Sequence, residues 1–94
     1  MLASLNDVPL RSPAAVAEAV QDEVILLHTG TEQYFSLNEV GARCWQLADG
    51  HHKVADIVAV LRDEFAVDEA ELRADVNELL TDLVTNQLMT WAGE

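Results

Sequence analysis

The hydrophobic pattern changes period along the chain. Val24-Ile25-Leu26-Leu27 is a four-residue apolar run bounded by polar residues. A run that short, β-branched at its start, predicts a strand. Upstream, Ala14 to Val20 alternates weakly, with Val16 and Val20 on one face and Glu18 sharing their parity. A short, poor strand is expected there. Downstream, residues 32–37 contain Tyr34 and Phe35, both strand formers. The intervening His28-Thr29-Gly30-Thr31 holds a glycine able to take positive φ in a tight turn. Residues 24–28 and 32–37 therefore predict a hairpin, with the weaker strand alongside and a polar turn at Gln21-Asp22-Glu23.

From Asn38 the period is helical. The Asn38 side chain suits an N-cap, because its oxygen can accept an orphan backbone N–H. Glu39 follows in the first turn, where negative charge suits the helix dipole. Val40, Cys44, Trp45 and Leu47 have roughly helical spacing, and Asp49-Gly50 ends the helix. In the second helix Val54, Ile57, Val58, Leu61 and Phe65 form one apolar stripe, with Asp56, Arg62 and Asp63 opposite. Asp68 can cap a third helix carrying Leu72, Val76, Leu79, Leu80, Leu83 and Val84 on one face. That helix should fade near Asn86-Gln87-Leu88, and Met89-Thr90-Trp91 is apolar enough to pack back on the body. Residues 1–13, punctuated by Pro9 and Pro13, show no period and are expected to form an arm before a single domain over 14–91. Three strands followed by three helices predict an α+β fold.

Composition narrows the function classes. The 94 residues suffice for one domain, and half are apolar, enough for one core. Five Lys and Arg stand against 17 Asp and Glu, a formal charge of −12. Such an excess disfavours nucleic acid and anionic membrane surfaces and favours cationic partners. It also serves solubility alone. No apolar stretch approaches the ~18 residues of a membrane span. The start lacks the basic and apolar regions of a secretory signal. A lone cysteine, Cys44, allows no internal disulfide, so a cytoplasmic location is the default.

Little in the sequence supports catalysis. His51 and His52 adjoin in an expected loop with no obvious metal-ligating partner, and Cys44 sits on an apolar helix face as a core thiol would. The four glycines form no phosphate-cradling motif. No carboxylate pair is singled out by spacing for acid–base work. The chain is read as a non-enzyme without metal or cofactor.

An ordered set of motifs remains. Tyr34-Phe35-Ser36-Leu37-Asn38 leads into a helix with Gly41, Cys44 and Trp45, then Asp49-Gly50. Val54-Ala55-Asp56-Ile57-Val58 follows, and then Asp75-Val76 with Leu79, Leu80 and Leu83. Over residues 14–89 this resembles the PqqD-like family of peptide recognition elements. The resemblance implies a three-stranded antiparallel sheet on three helices, a winged-helix-like arrangement. It implies recognition of a precursor peptide's leader segment, added as a strand to the third strand and lying against the third helix. On that basis Glu32, Gln33, Tyr34, Phe35 and Ser36 are the candidate strand contacts. Asp75, Val76, Leu79, Asp82 and Leu83 are the candidate helix contacts. Asp75 and Asp82 lie near one helical line with Glu78 between them, able to receive Lys or Arg or simply to form a solvated face. The leucines serve core or groove, and Leu79 is the most evenly poised.

Thr29-Gly30 followed by Tyr34-Phe35-Ser36-Leu37-Asn38 looks most like the stand-alone members of lasso-peptide pathways. The implied partners are then the leader peptide, a leader peptidase and a cyclase. Carriage of the precursor in quinone cofactor (PQQ) synthesis is the alternative within the family, and a structural subunit of an enzyme complex the alternative outside it. A DNA-binding winged helix is disfavoured. Arg73 is the only cation from Asp68 to Trp91, against six carboxylates.

Overall fold

In a computed structural model, which describes residues 5–21 and 23–92, the apolar run at Val24 lies at the centre of a sheet. Residues 1–4 of the expected arm and Asp22 of the expected turn lie outside the described residues. Strands β2 (Ala15–Val20), β3 (Glu23–His28) and β4 (Tyr34–Leu37) form an antiparallel sheet in the order β2-β3-β4. The register pairs Ala17 with Leu26 and Leu26 with Phe35. Because side chains alternate across a strand, Val24, Leu26 and His28 face the helices and are buried. Val16, Leu27 and Tyr34 share the opposite face.

The hairpin turn differs from the expected one. The third strand begins at Tyr34, so Glu32 and Gln33 precede it instead of belonging to it. The residue with positive φ is Glu32, at 62°, not Gly30. A side chain braces the bend: His28 Nδ1 accepts the Gly30 N–H at 3.0 Å and the Thr31 N–H at 3.1 Å. With its ring occupied by the turn, His28 is a buried structural residue.

Helices α1 (Glu39–Leu47), α2 (Val54–Phe65) and α3 (Glu69–Thr85) follow in the expected order. Asn38 caps α1, its Oδ1 accepting the Gly41 N–H at 2.8 Å, and Asp68 caps α3 by accepting the Glu71 N–H at 3.1 Å. Between α2 and α3 the chain turns at Ala66, a non-glycine residue in the left-handed region at φ 51°. The stripes meet as their spacing predicts: Leu26, Cys44, Ile57, Leu61, Leu80 and Leu83 are buried at 0–1 % exposure in one core.

A second pairing joins the two ends of the chain. Strand β1 (Pro9–Arg11) runs antiparallel to β5 (Met89–Trp91), Pro9 opposite Trp91. The expected packing of residues 89–91 onto the body takes this form. The Arg11 guanidinium is also anchored, donating to the carbonyls of Trp45 at 3.0 Å and Gln46 at 2.8 Å, where the C-terminal end of α1 favours positive charge. A three-residue strand holding a proline has too few positions to show a period, so this part of the arm was invisible to the pattern. The sum is an α+β fold: three helices against one face of a three-stranded antiparallel sheet, braced by the β1–β5 ribbon.

Candidate functional site

The strand β4 is an open edge, and its register decides which backbone groups are free. The His28 N–H donates to the Gln33 carbonyl at 3.0 Å, which makes these two a hydrogen-bonded pair. Such pairs recur every second residue in an antiparallel ladder. Phe35 opposite Leu26 and Leu37 opposite Val24 therefore turn their N–H and C=O groups toward β3. Tyr34 and Ser36 turn theirs outward, away from the sheet. An edge with free donors and acceptors is a template for another strand. The outer edge of β2 is also open, but that strand is exposed from Val16 to Val20, so little stands beside it to grip side chains.

Beside β4 lies a cavity of about 590 Å³. Ser36 and Leu37 form one side, Val40, Gly41 and Cys44 of α1 the floor, and α3 from Glu71 to Leu79 the far wall, with Val67 and Asp68 closing the end. Gly41 lets the walls approach. A Cβ there would stand 3.3 Å from Leu37 Cβ and 3.5 Å from a Leu79 methyl. Burial pushes the Cys44 thiol up to about 12, so this thiol stays protonated and serves as an apolar surface.

The cavity is apolar at its floor and acidic along α3. Asp68, Glu71 and Asp75 all line it, and among the described residues no Lys or Arg does. Arg62 is paired with Glu69 at 2.6 Å and Arg43 with Glu64 at 2.9 Å, and Arg73, exposed on α3, is not among the lining residues.

The candidate residues from the sequence divide accordingly. Ser36, Asp75, Val76 and Leu79 meet at the cavity. Tyr34 stands on the far face of the sheet at 71 % exposure, its free backbone groups on the edge. Phe35 points inward and is half-buried against the core. Glu32 and Gln33 are exposed in the turn, off the strand. Leu83 is 1 % exposed and lies in the core. Asp82 borders a different, shallow hollow with Glu78 on the outer side of α3. The pattern missed the α1 wall, Val40, Gly41 and Cys44, and the acidic residues Asp68 and Glu71. Asp68 carried a visible signal as a helix cap, which said nothing of a cavity beside it.

Among the described residues no group of three or more His, Cys, Asp or Glu is placed to hold a metal ion, and no helix is long and apolar enough to cross a membrane.

The family model for coenzyme PQQ synthesis protein D (PqqD) matches residues 23–89. No curated protein sequence matches. Among solved structures, TbiB1 in complex with the TbiA(beta) leader peptide superposes with a TM-score of 0.76 at 33 % identity, covering 90 % of this chain and 96 % of that one. A lasso peptide synthetase B1 complexed with the leader peptide superposes with a TM-score of 0.77, covering 88 % and 98 %. At 23 % identity the second match bears on the fold alone.

Proposed function

This chain belongs to the PqqD family, and from that premise we propose that it binds the leader segment of a ribosomally made precursor peptide as a fourth strand on β4. The observation that carries the proposal is the pairing of a free edge with a flanking cavity. Tyr34 and Ser36 present four backbone groups to a passing chain, and the hollow between β4, α1 and α3 takes side chains from that chain. Main-chain bonds supply grip and the cavity supplies selection, the division of labour in β-augmentation.

The chain binds and does not catalyse in this proposal. The leader is held while separate enzymes, a leader peptidase and then a cyclase, act on the precursor in the cytoplasm. What supports the lasso-peptide assignment is the hairpin stretch from Thr29 to Asn38. The overlay of nearly the whole chain on TbiB1, which was solved with a leader peptide, supports leader binding. The matched family's description favours a second reading, carriage of the precursor for quinone cofactor synthesis. The peptide that binds separates the two.

The test is amide hydrogen exchange with and without a candidate leader peptide. Saturating peptide should slow exchange at the Tyr34 and Ser36 amides, and Phe35 and Leu37 should change less because their amides are already bonded within the sheet. Protection elsewhere, with none at Tyr34 and Ser36, would overturn strand addition.

A further inference from the structure

An added strand on β4 must alternate its side chains as β4 does. Residues of one parity join Tyr34 and Ser36 on the outer face, and those of the other parity face α3 and the cavity. Successive cavity-facing positions are i and i+2, about 6.8 Å apart. The cavity offers these positions two different surroundings. Val40 and Cys44 on the floor, with Leu37 and Leu79 beside them, are apolar, and Glu71 and Asp75 line the α3 wall. Glu71 and Asp75 are one helical turn apart and so lie on one face of α3, where a single cation can reach both.

The electrostatics are one-sided. The Asp68 carboxylate is partly committed to the Glu71 N–H. The N-terminus of α3 contributes roughly half a positive charge, which three carboxylates exceed. Among the described residues no Lys or Arg lines the cavity, and no ion pair engages Glu71 or Asp75. The free N–H and C=O of Ser36 lie at the same mouth, so whatever enters is held at its backbone as well.

We propose that this cavity selects a leader segment in which an apolar anchor is separated by one residue from Lys or Arg, in either order. The anchor fills the floor and the cation reaches Glu71 and Asp75. The inference rests on strand addition to β4 and adds the side-chain code that the strand must carry.

Selection of random dodecapeptides displayed on phage, against the immobilised full chain, tests it. Ser36→Pro sorts the enriched peptides, because only strand-adding peptides lose binding to it. Those peptides should share an apolar residue and Lys or Arg two positions apart. The Glu71→Gln, Asp75→Asn double variant, checked for an unchanged melt, should bind them about three- to thirtyfold more weakly at low salt, the range for two exposed ion pairs. Raising the salt should shrink the difference. Ser36→Pro-sensitive peptides with no cation at that spacing, or with equal affinity for the double variant, overturn the code and leave strand addition standing. If no enriched peptide responds to Ser36→Pro, strand addition itself fails, and the code with it.

Discussion

Replacing Ser36 by proline separates the free edge of β4 from the sheet that carries it. Ser36 turns its N–H away from β3, so the ladder bonds of Phe35 and Leu37 survive the change. The residue before a proline must be extended, and Phe35 already lies in a strand. Proline is tolerated on edges whose N–H faces solvent, so the cost to folding should stay below about 1 kcal/mol. Binding should suffer far more. One strand-to-strand hydrogen bond is lost, worth about 0.5–1.5 kcal/mol net, and the leader carbonyl it served is buried without a donor, costing about 1–3 kcal/mol more. A loss of about 2–4 kcal/mol corresponds to roughly 30- to 1,000-fold in Kd. Titration calorimetry with a leader peptide measures this, beside a thermal melt. Phe35→Pro is the contrasting control: it deletes an N–H that faces β3 and should collapse the hairpin. A leader N-methylated at single amides probes the same pairing from the other partner. Wild-type affinity in a Ser36→Pro protein with an unchanged melt would refute strand addition on β4.

Three further outcomes follow from the same geometry. Leu83→Ala should destabilise the fold by about 2–5 kcal/mol, as buried leucines do, whereas the half-buried Leu79→Ala should cost less stability and weaken leader binding; equal stability losses would put Leu79 in the core. His28→Ala removes the acceptor for two turn amides and should cost about 1–3 kcal/mol in a urea melt; no loss would show that the turn holds without the ring. Burial raises the Cys44 thiol from 9.0 to about 12, so the native state keeps a proton there that the unfolded chain releases. Stability should therefore fall as pH rises above about 9, with a slope approaching about 1.4 kcal/mol per pH unit, and Cys44→Val should remove that component; an identical slope in the variant would refute it.

The parts of the fold that were legible in the sequence are those written in local periodicity. The α2 stripe, the Asn38 and Asp68 caps and the central strand each depend on neighbours within a few residues. The turn at Glu32 was not legible, because a buried histidine ring, and not a glycine, shapes it. The β1–β5 ribbon was not either, since each strand is three residues long and its partner lies at the other end of the chain. The site divides the same way. The third strand's edge and the α3 face could be named, but which of its amides point outward follows from register alone. Asp75 and Asp82 fall on one helical line, yet the cavity extends only along its N-terminal part, so Glu71 and Asp68 border it and Asp82 does not.

The β1–β5 ribbon also bears on how the molecule folds. The hairpins and helices close short loops, but Pro9 cannot meet Trp91 until nearly the whole chain has been drawn together. Loop closure over that separation is the most expensive in the molecule, so the ribbon should zip up after the barrier is crossed. Damage to it would then leave the rate of folding almost unchanged and show as faster unfolding. The protein would still assemble on schedule, while α3, released at its C-terminal end, stayed assembled for less time.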